Sequence, residues 1–281
     1  MRLAIIEVES LSYTYAESPQ PSLIDINFKA DSGEFILISG PSGCGKTTFC
    51  RALNGLIPNS YGGNFSGRVV VDGLVTTERP VSELAQRVGL VFQNPENELF
   101  CTTVEREVAF GPENLALSRE EIEMRVGEAL DIVGISHLKD KSPDELSGGE
   151  QQKVAIAALL TMKPKVLVLD EPTANLDPMS AKSVLNVLAD LNSVGVTIVL
   201  VEHRLEMVSH LADRCVIFDS GRIVLDGPPQ NVLYSDTAEH LGIGVPKAVL
   251  VAKAMRQRPE LARWMPLTSR DLLRILGGDH R

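Results

Sequence analysis

Short apolar segments recur along this chain and alternate with stretches that have the spacing of amphipathic helices. Between residues 1 and 30, apolar and polar residues alternate in IIEVESLSY and LIDINFKA, which predicts two strands. The compact run EFILIS at 34–39 predicts a strand buried on both faces. Further short runs predict strands at 68–73, 88–92, 165–170, 196–203 and 214–224. Because strands alternate with helices, the pattern indicates an α/β fold with a mostly parallel sheet covered on both faces.

Helical patterns interrupt this alternation in the middle of the chain and follow it at the end. Glu becomes frequent in 94–145, where SREEIEMRVGEALDIVGI predicts an amphipathic helix with a capping box formed by Ser118 and Glu121. This stretch indicates an inserted helical lobe. Near the C-terminus, PKAVLVAKAMRQRPELARWM and SRDLLRIL predict the helices of a small appendage.

A glycine-rich turn directly after the 34–39 strand carries the first chemical signal. Residues 40–47 match GxxxxGK[ST] at every fixed position and lead into the helical pattern TTFCRALNGL. The glycines allow backbone N–H groups to surround phosphate oxygens, and the following helix directs its positive end at the same anion. Lys46 is predicted to reach the β- and γ-phosphates, and the Thr47 hydroxyl is predicted to bind Mg²⁺. The alternative, a chance glycine-rich turn, is disfavoured by this strand–turn–helix context.

Two adjacent carboxylates follow the predicted strand at 165–170. Asp170 and Glu171 would stand at the carboxyl edge of the sheet, where parallel sheets bind ligands. Asp170 is predicted to hold Mg²⁺ through water, and Glu171 to polarise the attacking water. An acidic pair after an apolar strand is common by itself, so it indicates a nucleotide site only in combination with the phosphate loop.

The segment LSGGEQQ at 146–152 precedes the apolar helix pattern KVAIAALL. Its two glycines expose backbone N–H groups at a helix start, which makes a second phosphate-binding terminus. The chain has one phosphate loop, and both elements could serve one nucleotide only if they lay close together. We infer instead that this terminus covers a nucleotide held by another subunit.

These motifs together resemble the ABC-transporter ATPase family, in family order over residues 1 to about 230. LSGGEQQ is similar to the family's signature motif, GPSGCGKTT to its Walker A motif, and VLVLDEP to its Walker B motif. The remaining matches are the D-loop in Ala174-Asn175-Leu176-Asp177, the Q-loop at Gln93, the switch histidine at His203 and the adenine-stacking aromatic at Tyr15.

The resemblance implies a P-loop NTPase fold in which a mostly parallel core sheet joins an N-terminal antiparallel β-subdomain. An ATP-binding domain would span 1–235 with a helical subdomain at approximately 94–160, and a helical appendage would span 236–281. The family forms a head-to-tail dimer that holds two ATP molecules, each between the Walker A motif of one subunit and the signature motif of the other.

Site roles follow from the same resemblance. Gln93 would contact Mg²⁺ and the water, His203 the γ-phosphate, and Lys46 and Glu171 would complete the catalytic set. Tyr13 competes with Tyr15 for the adenine, and a packed aromatic is the plainer interpretation of Tyr15. The expected nucleotide contacts are Tyr15, Gly40, Pro41, Ser42, Gly43, Cys44, Gly45, Lys46, Thr47, Thr48, Ser147, Gly148, Gly149, Glu150 and Asp177, and the expected metal ligands are Thr47, Gln93 and Asp170.

One branch of the family is indicated by the segments QNPENELF, VAFGPENL and VEHRLE. They resemble the ATPases of energy-coupling-factor (ECF) transporters, the cobalt- and vitamin-uptake group, although Glu98 stands where that group's pattern has Gln. The resemblance implies a peripheral motor subunit at the cytoplasmic face of the membrane. It would drive micronutrient uptake, contact a transmembrane coupling subunit near Gln93–Phe100, and reach a substrate-binding membrane subunit indirectly.

The segment near Gln93–Phe100 is acidic, through Glu96, Glu98, Glu105 and Glu107. Arginines on a partner helix would match it, since Arg–carboxylate pairs can be bidentate. We therefore hypothesise that Glu96 or Glu98 pairs with a partner arginine. A solvated acidic face is the plainer alternative.

Charge and composition narrow the function further. The 281 residues carry a net charge of −10, which disfavours nucleic acid as the main partner. Residues 241–281 nevertheless hold eight Lys or Arg against three acids, and Arg256, Arg258 and Arg263 suggest either a dimer contact or anionic lipid. No apolar run approaches the roughly 18 residues of a membrane span, and the N-terminus does not resemble a secretory signal.

The four cysteines lack metal-ligand spacing and predict a reducing compartment. Cys44 lies near a helix N-terminus, where we expect a thiolate to be favoured.

Two other functions would use the same motifs. The first is a soluble ABC ATPase acting on DNA or an assembly scaffold, but the roughly 50 residues between Gln93 and Leu146 are too few for the long coiled coil of DNA-repair relatives. The second is a catalytically inactive binding subunit, which the presence of Glu171 and His203 disfavours. The transported solute and the choice between a homodimer and a heterodimer stay open.

Overall fold

The computed structural model describes residues 4–94, 99–255 and 264–277. Its strands are β1 (Ala4–Tyr15), β2 (Leu23–Asp31), β3 (Phe35–Ser39), β4 (Gly63–Val71), β5 (Leu74–Val75), β6 (Val88–Val91), β7 (Val166–Asp170), β8 (Thr197–Val201), β9 (Arg214–Asp219) and β10 (Arg222–Gly227). Its helices are α1 (Lys46–Leu53), α2 (Leu56–Asn59), α3 (Val81–Leu84), α4 (Val104–Asn114), α5 (Arg119–Val133), α6 (Gly148–Leu160), α7 (Pro178–Ser193), α8 (Leu205–Val208), α9 (Pro229–Leu233), α10 (Asp236–His240), α11 (Lys247–Ala254) and α12 (Ser269–Leu276).

Two sheets organise these elements. The larger has the order β10-β9-β3-β8-β7-β6 and is parallel except for the edge strand β10. The smaller, β2-β1-β4-β5, is antiparallel. The expected α/β class, with a mostly parallel core and an antiparallel N-terminal sheet, is confirmed.

The predicted strand at 214–224 is wrong in one respect, because it consists of two strands joined by a tight turn. Ser220 and Gly221 have φ values of 48° and 77° and connect β9 to β10. Two consecutive positive φ values give the turn whose twist suits a β-hairpin. The apolar residues on both sides made the segment look continuous.

The hydrophobic core lies on both faces of the larger sheet. One face packs against α1 and the antiparallel sheet, with Tyr13, Phe28, Phe49 and Phe218 among its large side chains. The other face packs against helices α4 to α7. Every residue of β3, β7 and β8 is buried, so polar chemistry is confined to the ends of these strands.

The helices of the stretch around 104–160 begin with side-chain caps. Ser118 caps α5 by accepting the N–H of Glu121 at 3.3 Å. The carboxylate of Glu121 accepts a bond from Arg125 Nε at 2.6 Å instead of returning to the backbone N–H of Ser118. The predicted capping box is therefore wrong in its second bond. A capping box does form at the start of α6, between Ser147 and Glu150.

The C-terminal helices α11 and α12 pack together through Ala248, Ala252 and Leu272. The hydroxyl of Tyr234, which follows α9, donates to the carbonyl of Pro266 at 2.9 Å and joins this appendage to the preceding chain. Most of the predicted helix beyond Met255, with Arg256, Arg258 and Arg263, lies outside the described residues. Within the described residues, no helix combines the length and apolarity needed to cross a membrane.

Candidate functional site

The phosphate loop joins β3 to α1, and its backbone explains its glycines. Gly40 and Gly45 have φ values of 146° and 107°. A Cβ on Gly40 would stand 2.1 Å from the carbonyl oxygen of Phe218, and one on Gly45 2.5 Å from that of Ser22. Side chains are therefore excluded on both backbone and steric grounds.

Lys46, the first residue of α1, turns back over this loop. Its side chain is buried, and Nζ donates to the carbonyl oxygens of Gly40 and Pro41 at 2.9 Å each. The loop carbonyls thus hold the ammonium group against the phosphate loop.

Asp170 ends β7 beside the loop and is 5% exposed. Burial raises the pKa of its carboxyl group, and a hydrogen bond with Thr47 opposes the rise. Its Oδ1 atom is buried and has no hydrogen-bond partner among the described residues. A buried carboxylate oxygen without a donor fits a divalent cation, and the neighbouring Thr47 hydroxyl supplies a second hard oxygen ligand.

Glu171 is held from two sides by residues that follow the neighbouring strands. Gln93 Nε2 donates to its Oε2 at 3.2 Å, and His203 Nε2 lies 2.9 Å from its Oε1. Gln93 follows β6, Glu171 follows β7 and His203 follows β8, and these strands are adjacent and parallel. Their carboxyl ends therefore bring the three side chains together at one edge. The arrangement orients a carboxylate that is partly exposed to solvent.

The two candidate adenine-contacting tyrosines have different surroundings. Tyr13 is fully buried, and its hydroxyl donates to the carbonyls of Tyr61 and Gly62 at 3.1 and 3.0 Å. The hydroxyl of Tyr15, which is partly exposed, lies 3.3 Å from Thr48 Oγ1. Of the two rings, that of Tyr15 is the one partly open to solvent, and it packs edge-on against Tyr13 and Tyr61.

The expectation that Cys44 favours the thiolate is wrong. Its side chain is 4% exposed, and burial raises the pKa of the thiol more than the neighbouring Lys46 lowers it. Position at a helix start is outweighed here by loss of solvent.

The signature segment presents Ser147 and Gly148 to solvent. Glu150 accepts bonds from the Ser147 N–H at 2.8 Å and hydroxyl at 2.7 Å, which lower the pKa of the Glu150 carboxyl. A Cβ on Gly149 would stand 2.7 Å from the Cβ of Ser180 on α7. The glycine thus allows α6 to start directly against α7.

Asp177, expected as a nucleotide contact, caps α7. Its Oδ1 accepts the N–H groups of Met179 and Ser180 at 2.9 and 3.1 Å. A hydrogen bond from the Ser180 hydroxyl, together with these two N–H bonds, lowers the pKa of the carboxyl. The loop before it is tied to the Gln93 side of the site, since Asn175 donates to Asn94 at 2.9 Å.

The acidic partner surface expected near Gln93–Phe100 is only partly as predicted. Glu107 is 5% exposed and accepts the N–H groups of Phe100 and Cys101 at 2.9 and 2.7 Å, so its inclusion in that surface is wrong. Phe100 is 66% exposed and packs edge-on against Phe110. Glu96 and Glu98 lie outside the described residues.

Sequence analysis missed two residues that flank His203. Glu202 is 3% exposed and accepts a bond from Thr173, while Arg204 donates to the carbonyls of Thr173 and Leu176. The signal was available, because a charged residue directly after the wholly buried strand β8 needs buried partners.

Comparison with known proteins gives these motifs a family. Residues 23–174 match the family model described as ABC transporter. A putative ABC transporter ATP-binding protein of Pyrococcus abyssi is 49% identical over 90% of this chain and 91% of its own length. One from Methanosarcina acetivorans is 44% identical over 97% of this chain, which spans only 42% of that relative. An energy-coupling factor transporter ATP-binding protein of Caldanaerobacter subterraneus is 42% identical over 90% of both chains.

Solved structures of ABC transporter subunits share this fold. A cbiO subunit of the ABC transporter complex cbiONQ of Clostridium perfringens has a TM-score of 0.75 and 35% identity, over 93% of this chain and 98% of its own. A dimeric ATP-binding cassette in a post-hydrolysis state, bound to ADP and phosphate, has a TM-score of 0.69 and 27% identity, over 80% of this chain and 98% of its own. The family match and the relatives of similar length show that the chain belongs to the ABC transporter family, as an ATPase subunit.

Proposed function

We propose that this chain is the ATP-hydrolysing motor of an ECF-type importer that takes up a micronutrient, either a vitamin or a transition-metal ion. The observation that carries the catalytic part is the placement of Glu171 between Gln93 and His203, at the sheet edge that also bears Asp170 and the phosphate loop. The ECF and cbiO relatives support the transport branch.

The residues divide the work of phosphoryl transfer by position. Loop N–H groups and Lys46 bind the phosphates, and Tyr15 stacks on the adenine. Glu171 orients the attacking water. Gln93 and His203 hold the Glu171 carboxylate in place, and His203 also contacts the γ-phosphate. Such a reaction needs positioning and charge neutralisation more than covalent chemistry.

Mg²⁺ is the proposed metal cofactor, and Thr47, Asp170 and Gln93 would hold it. The unpartnered Oδ1 of Asp170 supports this assignment. When bound, the ion supplies positive charge that neutralises the phosphate oxygens.

The active unit is a head-to-tail dimer of this chain with itself or with a related ATPase. Ser147 and Gly148 are exposed, and Glu150 holds Ser147 in place. We assign Ser147, Gly148 and Gly149 to the nucleotide of the facing subunit, so that each ATP is bound by two chains. Dimeric cassettes among the structural relatives support this geometry.

A transmembrane coupling subunit would dock near Gln93–Phe100, on the cytoplasmic face of the membrane, with a substrate-binding membrane subunit reached indirectly. The exposed Phe100–Phe110 pair offers it an apolar contact. Glu96 or Glu98 would add an ion pair with a partner arginine, and charge reversal at either site should weaken co-purification while leaving ATP binding intact.

The test is purification from detergent-solubilised membranes of wild type and Glu171→Gln. Both should co-purify with integral membrane subunits, and Glu171→Gln should bind ATP but lose turnover by at least about a hundredfold. Co-purification with nucleic acid or a non-membrane scaffold alone would contradict the transport function. Unchanged turnover in Glu171→Gln would contradict the catalytic assignment.

A further inference from the structure

Glu202, directly before His203, anchors the start of the loop after β8. Its N–H donates to the carbonyl of Ile38 at 3.0 Å, which ties it to the central strand β3. Its buried carboxylate accepts the hydroxyl of Thr173 and the N–H groups of His203 and Arg204, the latter two at 3.0 and 3.2 Å. The backbone that carries His203 is therefore fixed to Thr173, which follows β7.

Arg204 makes the second connection, to the segment 173–177 between β7 and α7. Nη1 donates to the carbonyl of Leu176 at 3.1 Å, and Nη2 donates to the carbonyl of Thr173. A planar guanidinium presents several donors in a fixed fork, which suits two carbonyls of one loop in a way that a single ammonium group does not. Arg204 thus sets the shape of the 173–177 segment.

That segment in turn touches the start of α6. A Cβ on Gly148 would stand 3.3 Å from Leu176 Cδ2. The contacts run from the His203 backbone through Arg204 and Leu176 to the signature residues of the same subunit. In the proposed dimer, His203 contacts one nucleotide and the signature residues of the same subunit contact the other.

We propose that Arg204, held by Glu202, is a positioning residue that couples His203 at one nucleotide to the signature residues that the same subunit presents to the facing nucleotide. This rests on the proposed shared site, since coupling requires that one subunit contribute to both nucleotides. A displacement of His203 by its own nucleotide shifts Arg204, and Leu176 transmits the shift to Gly148 through direct packing.

The test uses a mixed dimer with a single intact site, made from a Lys46→Ala protomer and a Ser147→Arg protomer. The intact site takes its phosphate loop, Glu171 and His203 from the Ser147→Arg protomer and its signature residues from the other. Arg204→Met is placed in the Lys46→Ala protomer, whose own His203 serves no working site. Turnover should fall by roughly tenfold with little change in KM, because a signature segment displaced by a fraction of an ångström misplaces the phosphate.

Arg204→Lys supplies the same comparison with less disturbance of packing and should give a smaller loss. Arg222→Met, at an exposed arginine on β10, is the matched control and should leave turnover unchanged. Unchanged turnover with Arg204→Met in the Lys46→Ala protomer, beside a loss when it is in the Ser147→Arg protomer, would show a purely local role and overturn the proposal. An inactive parent mixed dimer would instead contradict the shared site, and the coupling with it.

Discussion

At the scale of single residues, the site contains a buried polar group that lacks a hydrogen-bond partner in the folded chain. Asp170 is buried with one oxygen unpartnered, and its pKa is raised chiefly by loss of solvent. Such a group costs free energy of folding and is retained where a ligand completes it.

We therefore expect Asp170→Asn to raise the melting temperature of the nucleotide-free protein at neutral pH, by about 2 °C or more. Because the folded-state pKa lies above the unfolded value, ionised Asp170 destabilises the fold at high pH, and the gain should vanish in acid as Asp170 becomes protonated. Thermal unfolding as a function of pH measures this.

Asp226 is the control with the opposite sign, because both its oxygens accept bonds from Arg214, at 2.5 and 2.6 Å. Asp226→Asn should lower the melting temperature. If Asp170→Asn melted below wild type at neutral pH, the account of Asp170 would be contradicted.

Sequence alone could name Lys46, Asp170, Glu171 and the phosphate-loop glycines, because fixed spacing ties those residue types to phosphate chemistry. It could not reveal that Glu202 and Arg204 meet Thr173, some 30 positions earlier, since no local pattern records that contact. It also misjudged Cys44, because burial depends on how the loop packs.

At the scale of elements, apolar runs of about five residues bounded by turn residues were sufficient to predict the buried strands, because such runs are too short for a buried helix. The β9–β10 hairpin was missed because its turn is only two residues long. The appendage helices were predicted by their spacing, but their attachment to the rest of the chain depends on single contacts that spacing does not show.

Tyr234 is one such contact, and burial raises the pKa of its hydroxyl to about 12. Tyr234→Phe removes the donor to the Pro266 carbonyl and should cost about 1 kcal/mol of stability. Since the folded-state pKa is raised, the contribution of the Tyr234 hydroxyl to stability is complete below about pH 10 and is lost as the pH rises towards 12.

Phenolate absorbance should show one tyrosine titrating near pH 12 that is missing in Tyr234→Phe. Equal high-pH titrations of the two proteins would contradict the burial of this hydroxyl.

At the scale of the whole molecule, the phosphate loop lies at one edge of the parallel sheet with Asp170, Glu171, Gln93 and His203. The signature segment lies elsewhere, at the start of α6. The parallel strand order β3-β8-β7-β6 explains the first grouping, because the phosphate loop and these four side chains all lie at the carboxyl ends of these strands. The sequence indicated that a second phosphate-binding terminus needs a partner chain, because the motif occurs apart from the single phosphate loop. Nothing in the sequence could identify that partner chain.

Complementation between two inactive variants tests the shared site most directly. Lys46→Ala and Ser147→Arg are each expected to lose ATP turnover when assayed alone. In a 1:1 mixture, half the dimers combine both variants and keep one intact site, so turnover should recover to about a quarter of wild type. If turnover of the mixture stayed at the mean of the two separate variants, each nucleotide site would belong to one chain and the account would be contradicted.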